Sequence, residues 1–249
     1  MSRGFHLPAV AFFGRTLEEY LAMFAIAPDD LARGRVLDCP SGPDSFVAEA
    51  CALGFDATGC DPMYALPPDE LAERGRANVE ACLAAIDAQR DTLVFAEFER
   101  FRDAKRDALE RFPADYRAHH GDGRYRAASL PALPFADRSF DLVLAANFLF
   151  SYANERHGGL YEGDEFDLDF HLRSVTEIAR VAAREIRLAP MGSFAPPARP
   201  HAFRDPVRAH LESLGFATEL VASGYRSGLA GFNDVLVARR RTPENAPRA

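Results

Sequence analysis

Two carboxylates set the chemistry this chain can offer. Asp38 ends the apolar run Arg35-Val36-Leu37-Asp38, and Asp61 ends a second run, Ala57-Thr58-Gly59-Cys60-Asp61. Between them, Cys39-Pro40-Ser41-Gly42-Pro43-Asp44 reads as a tight turn that leads into an apolar helix. A strand, a turn passing close to a ligand, a helix and a second acid about 20 residues on make the opening of a nucleotide-binding βαβ unit, with the second acid able to hydrogen-bond a ribose. Ser41 and Gly42 offer backbone N–H groups and close approach at that turn.

The nucleotide follows by elimination. The dinucleotide pattern G-x-G-x-x-G is absent, with Gly42 alone surviving in the turn, and this argues against NAD or FAD. The phosphate loop G-x-x-x-x-G-K-[ST] is also absent, which argues against ATP or GTP hydrolysis. A ligand that needs a ribose acid but no pyrophosphate cradle fits better, and S-adenosylmethionine is such a ligand.

The elements that must position these residues are readable from period and punctuation. Thr16 to Phe24 has helical spacing with a Thr-x-x-Glu capping box at Thr16 and Glu19. Arg35 to Asp38 is the first strand, Ser45 to Leu53 a helix stopped by Gly54, and Asp56 to Asp61 the second strand. About 60 residues then pass before the next strand near Tyr125, far more than a βα connection needs. Helices are predicted from Pro68 to about Gln89 and from Thr92 to Phe112, the latter ended by Pro113. Residues 64–124 are therefore expected to form a mainly helical insert, either a solvated decoration or a substrate-selecting cap. Leu142 to Ala146 is a continuous apolar run, as in a strand buried on both faces. Phe170 to Ala183 is a helix, Glu185 to Leu188 a strand, Pro206 to Leu214 a helix, and 218–221 and 234–237 two last strands joined through Gly224, Gly228 and Gly231. The expected fold is α/β, a doubly wound Rossmann-like domain spanning 1–249, with 242–249 a flexible tail.

Composition narrows the partners. A net charge of −8 with 48% hydrophobic residues suits a soluble globular protein and argues against broad binding to nucleic acid or anionic lipid. No apolar run is long enough to span a bilayer, and Met1 to His6 lacks the apolar core of a signal peptide. A cytoplasmic enzyme acting on a small molecule, with no nucleic-acid or membrane partner, is the expectation. Cys39, Cys51, Cys60 and Cys82 lack C-x-x-C spacing and read as free thiols, and no metal site is expected, the pair His119-His120 included.

Val36 to Gly42 resembles the first motif of the class I S-adenosylmethionine-dependent methyltransferases, and Asp61 resembles that family's ribose acid. Leu133 to Val143 is similar to the approach to the family's fourth strand, and Glu177 to Val181 to the helix before its fifth. Gly14 to Tyr20 and Phe166 to His171 also resemble a bacterial methyltransferase-like subgroup. The resemblance runs from about Arg33 to Arg240 outside the helical insert, and implies seven mostly parallel strands with the last reversed. Pro40 and Asp44 replace the outer two glycines of the motif, and Pro40 fixes φ and lacks an N–H. Ser129 stands where many relatives carry an acid for the adenine amino group.

The resemblance implies a cofactor site of Arg15, Tyr20, Asp38, Pro40, Ser41, Gly42, Asp61, Pro62, Met63, Ser129, Leu130, Asn147 and Phe148. Asp38 would accept from the methionine amino group, and Arg15 would pair with the methionine carboxylate. Tyr20 and Tyr225 would close the pocket. Asn147-Phe148-Leu149-Phe150-Ser151-Tyr152 follows the fourth strand, where open α/β sheets bind ligands, and so should face the sulfonium. An aromatic, dry site suits a cation whose charge disperses as the methyl leaves. Asn147, Tyr152 and His171 are the catalytic candidates, His171 as a general base. Three activities remain open: methyl transfer to a small molecule, attack on another sulfonium carbon such as self-cyclisation to azetidine-2-carboxylate with release of methylthioadenosine, and non-catalytic binding.

Overall fold

The computed structural model describes residues 10–88, 98–193, 199–225 and 233–241. Seven strands form one sheet: β1 (Val36–Asp38), β2 (Ala57–Cys60), β3 (Tyr125–Arg126), β4 (Phe140–Ala146), β5 (Ala182–Ala189), β6 (Phe216–Ala222) and β7 (Asp234–Arg240). Their order is β3-β2-β1-β4-β5-β7-β6. The strands from β1 to β5 are parallel, and β7 runs antiparallel to both β5 and β6. The sheet is the expected Rossmann-like one, mostly parallel with its last strand reversed.

Alternation along each strand shows why both faces are covered. Leu37, Val143, Ala145, Leu236 and Ala238 belong to one core, with residues of α6 (Leu168–Val181) and α7 (Arg204–Ser213). Their neighbours Val36, Leu142, Leu144, Val235 and Val237 belong to the other core, with α1 (Leu17–Phe24), α2 (Pro28–Leu31) and α3 (Phe46–Ala52). Successive side chains on a strand point to opposite faces, so uninterrupted apolar runs require helices on both sides.

The N-terminal end of α1 carries the expected capping box: Glu19 N–H donates to Thr16 Oγ1 at 3.3 Å and Thr16 N–H to Glu19 Oε2 at 3.0 Å. Its C-terminal end is tied to the sheet. Arg187 on β5 donates from Nη1 to the carbonyls of Phe24 at 2.7 Å and Ala25 at 2.8 Å. A cation there satisfies carbonyls that have no helical partner. Strand β5 is longer than expected: Ala182 and Ala183, read from the sequence as the end of the preceding helix, belong to the strand, and Ala182 pairs with Phe140 of β4.

Helices α4 (Pro68–Asp87) and α5 (Phe98–Ala118) fill the long connection between β2 and β3. The expected start of the second helix at Thr92, and the expected first-helix end at Gln89, lie outside the described residues. Pro113 does not end α5; the helix continues through it to Ala118. An interior proline costs a backbone hydrogen bond. What holds the helix through it is burial on both sides: Phe112 and Tyr116 enter an aromatic cluster with Tyr64 and Tyr125, and the Tyr116 hydroxyl donates to the carbonyls of Tyr64 and Leu66. The second half of α5 thus packs on the sheet as a crossover helix would. Gly75 lets α4 approach it, since a Cβ there would lie 2.9 Å from Leu109 Cδ1.

Phe112→Ala should empty the centre of that cluster and destabilise the fold by about 3–5 kcal/mol. Urea unfolding checks this; a change under about 1 kcal/mol would mean α5 is peripheral to the core.

Candidate functional site

The sheet changes winding direction between β1 and β4, whose connections leave toward opposite edges. Ligands of open α/β sheets bind beyond the strand ends at such a point. A cavity of about 580 Å³ lies there. It is lined from the tips of β1, β2 and β4, from an N-terminal strap of residues 10–15, from α4 and α5, and from the segment between β4 and α6.

The strap is fixed by four named contacts. Ala11 N–H donates to the Tyr152 hydroxyl at 2.9 Å, and Phe12 N–H to Asn78 Oδ1 at 2.8 Å. The Arg15 carbonyl accepts from Ser45 N–H at 2.9 Å. Gly14 passes so close to the β1–α3 turn that a Cβ there would meet the Pro43 carbonyl oxygen at 2.3 Å.

Most of the expected cofactor residues line this cavity: Arg15, Pro40, Ser41, Gly42, Asp61, Pro62, Met63, Ser129, Leu130, Asn147 and Phe148. Tyr152 and Tyr225 line it as well. Asp61 ends β2 and caps the turn that follows. Its Oδ1 accepts from Met63 N–H at 2.9 Å and its Oδ2 from Gly42 N–H at 3.0 Å. Burial raises its pKa to about 6 against those two hydrogen bonds. Gly42 turns at φ +59°, a conformation glycine adopts without strain, and this aims its N–H at Asp61.

Asp38 is not a cavity residue. It is fully buried, and both its oxygens accept from the Tyr20 hydroxyl, at 2.9 and 3.0 Å. Tyr20 is equally buried and does not close the pocket; its hydroxyl also bonds Asp44 Oδ2. A hydroxyl has one hydrogen to give, yet here it lies between two carboxyls. Burial and then the charge of Asp44 push the Asp38 pKa well up. The sequence missed Asp44, which lines the cavity and keeps Oδ1 without a partner although the residue is 2% exposed. Burial raises the Asp44 pKa to about 7, with Arg15 and the Tyr20 hydrogen bond opposing.

Arg15 stands opposite these acids. Burial disfavours its charge, but Tyr225, Asp44 and Glu19 hold it protonated. With its amide oxygen turned toward the guanidinium, Asn147 accepts from Arg15 Nη2 at 3.2 Å and Nε at 3.3 Å. Asn147 sits at φ 49° just beyond β4, where Asn is tolerated, and its N–H bonds the Ala189 carbonyl at 2.7 Å.

His171 does not reach the cavity, and the general-base role fails on geometry. The residue is fully buried; Nε2 accepts from Phe150 N–H at 2.9 Å, and Nδ1 lies 2.7 Å from the Asp167 carbonyl. The two bonds fix the neutral tautomer with hydrogen on Nδ1. Burial also lowers its pKa. Its work is positional: it holds Phe150 at φ 69°, a strained conformation for a bulky residue, at the bend that presents Phe148 and Tyr152. Phe150 itself packs in the core behind the cavity.

The apolar lining was largely unread in the sequence. Asn78, Cys82 and Ile86 lie four residues apart and put one face of α4 on the cavity. Phe12, Phe13 and Phe101 add rings from the strap and α5, Phe166 from the segment leading into α6 and Phe170 from the first turn of α6. The four-residue spacing on α4 was the signal available.

No family model matches the chain. It is 26% identical over 193 residues to an uncharacterised protein of Methanocaldococcus jannaschii, an overlap covering 76% of this chain and 81% of that one. Among solved structures it is similar to magnesium protoporphyrin IX methyltransferase of Synechocystis with bound S-adenosylmethionine, at 14% identity and a TM-score of 0.47, covering 90% of this chain and 78% of that one. It is also similar to 1,6-didemethyltoxoflavin N1-methyltransferase of Burkholderia thailandensis, at 16% identity and a TM-score of 0.44, covering 88% and 77%. The strand order, with β7 reversed between β5 and β6, is the seven-stranded arrangement that the sequence resemblance implies.

Asp44 makes stability depend on pH. Its pKa is raised from 3.8 to about 7, so the folded protein holds this proton more tightly than the unfolded chain. The stabilisation is full below about pH 4 and is lost as pH rises through about 7. Asp44→Asn should therefore be more stable than the wild type at pH 8, with the difference closing by pH 5, in urea unfolding at the two values. A variant less stable at both would show that the ionised carboxylate is what the site needs.

Proposed function

We propose that the protein binds S-adenosylmethionine in this cavity and transfers its methyl group to a small molecule. One observation carries the reading: a single cavity brings the backbone-held Asp61, the opposed charges of Arg15 and Asp44, and an aromatic wall together at the sheet's switch point. Its volume suits a nucleoside-sized ligand.

Each carboxylate oxygen of Asp61 has a lone pair left after its backbone bond, and the two ribose hydroxyls fill these. The adenine lies by Met63, Ser129 and Leu130. Asp44 Oδ1, buried and unpartnered, takes the methionine ammonium, the role the sequence gave to Asp38. Arg15, held beside Asn147, takes the methionine carboxylate. That leaves the sulfonium toward Phe148 and Tyr152, where aromatic faces favour a cation. Catalysis is then mainly alignment of acceptor, methyl carbon and sulfur in a water-poor site.

Calorimetry should detect S-adenosylmethionine binding to the wild type, and Asp61→Ala should weaken it about ten- to hundredfold by losing hydrogen bonds to a charged acceptor. Absence of binding to the wild type would remove the proposal. Incubation with S-adenosylmethionine alone should leave it intact; accumulation of methylthioadenosine would favour cyclisation over methyl transfer.

A further inference from the structure

We infer that the acceptor is a neutral, apolar, ring-sized molecule whose nucleophilic atom has a free lone pair and no proton to lose, held between the inner face of α4, the strap and the aromatic segment after β4. The inference rests on the methyl-transfer reading above and adds the substrate class.

The walls define shape and polarity. On α4, Asn78, Cys82 and Ile86 line the cavity on one side of the helix. Asn78 Oδ1 is already engaged by Phe12 N–H. Across the strap, Phe13 and Phe101 lie 5.6 Å apart, centroid to centroid. After β4, Phe148 meets Phe166 at 5.3 Å and Phe170 at 6.0 Å, both edge to face. Such rings bury flat apolar groups well. The Tyr152 hydroxyl, which accepts from Ala11, ties this wall to the strap.

Charge and proton bookkeeping select the nucleophile. The donor brings its own sulfonium, so a cationic acceptor would set like charges together in a poorly screened space. An anionic acceptor would need a cation, and Arg15 is the one cationic side chain lining the cavity among the described residues. It is committed to the methionine carboxylate. A hydroxyl acceptor would need a base. Burial pushes Tyr152 up to about 12 and raises the Cys82 thiol, so neither accepts a proton near neutrality. His171 lies behind the wall with both nitrogens bonded. Asp44 and Asp61 are occupied by the donor.

A neutral lone pair meets all three constraints. It forms the new bond to the methyl carbon while the carbon–sulfur bond breaks and its electron pair stays on sulfur. S-adenosylhomocysteine leaves as a neutral thioether, and the positive charge passes to the methylated acceptor, against the aromatic faces. No proton moves and no further reactant is consumed.

The test uses the full chain and two neutral probes, quinoline for a ring nitrogen and thioanisole for a thioether, beside 1-naphthol, benzylamine and benzoate. Calorimetry on the complex with S-adenosylhomocysteine reads binding, and mass spectrometry reads methylated product. At least one neutral probe should bind and turn over about tenfold or more better than the other three. Ile86→Trp should raise its KM about tenfold or more with unchanged S-adenosylmethionine affinity and unfolding midpoint. Cys82→Phe provides the same obstruction one turn earlier if the first variant does not fold. Preference for the phenol, the ammonium or the carboxylate, binding of neither neutral probe, or indifference to both variants overturns the chamber assignment. Failure to bind S-adenosylmethionine overturns the underlying reading instead.

Discussion

The structure turns on one hydroxyl placed between two buried acids. Tyr20 bonds Asp38 and Asp44, and neither acid has appreciable contact with solvent. Two carboxylates this close cannot both ionise without large cost, and one phenolic hydrogen cannot satisfy both. The cluster therefore keeps a proton. Everything around it is arranged to make that tolerable: Arg15 faces Asp44, and Glu19 draws in the buried Lys105 and accepts from the Tyr225 hydroxyl at 2.9 Å. Burial lowers the Lys105 pKa to about 8, and Glu19 opposes that shift. The capping box that starts α1 thus has a second use, since Glu19 both caps the helix start and anchors the charge network.

That network ties together parts of the chain far apart in sequence. The strap and α1 precede the sheet, Asp38 and Asp44 flank its first turn, Lys105 sits on α5 and Tyr225 follows β6. Arg187 adds β5 by holding the end of α1. A buried ion network is seldom a large source of net stability, because desolvation offsets attraction. Its effect here is geometric. It fixes which way the strap crosses the strand tips, and hence where the cavity opens.

The sheet was legible because buried strands announce themselves as unbroken apolar runs, and Leu142 to Ala146 or Val235 to Val237 have no other stable use. Asp61 was legible for a similar reason: an acid at the end of such a run must have a partner. The errors share a cause. Asp38 and His171 looked functional by residue type, but type does not say whether a side chain faces the cavity or the core. Asp38 is turned to Tyr20, and His171 to Phe150. Pro113 looked like a stop because local cost is readable in sequence, whereas the packing of Phe112 and Tyr116 that offsets it depends on residues about 50 positions away. Asp44 was passed over as a departure from a glycine pattern, although an acid in a tight turn beside another acid is itself a signal.

The proton held in this cluster gives the cavity a way to distinguish charge. A ligand ammonium beside Asp44 Oδ1 would supply the positive partner the acid lacks, and the carboxyl would then release its proton. Protonation at Asp44 would then be coupled to ligand charge: a cation competes with the proton, so its binding would strengthen as pH rises through about 7, whereas a neutral group leaves the proton in place. Arg15 supplies the complementary preference, since its charge persists through the neutral range. A zwitterion satisfies both groups at once; a simple cation or a simple anion satisfies one and leaves the other buried beside an unmatched charge. Under the proposed binding mode, selectivity at this end of the cavity would follow from the distance between two opposite charges on the ligand, and not from either charge alone.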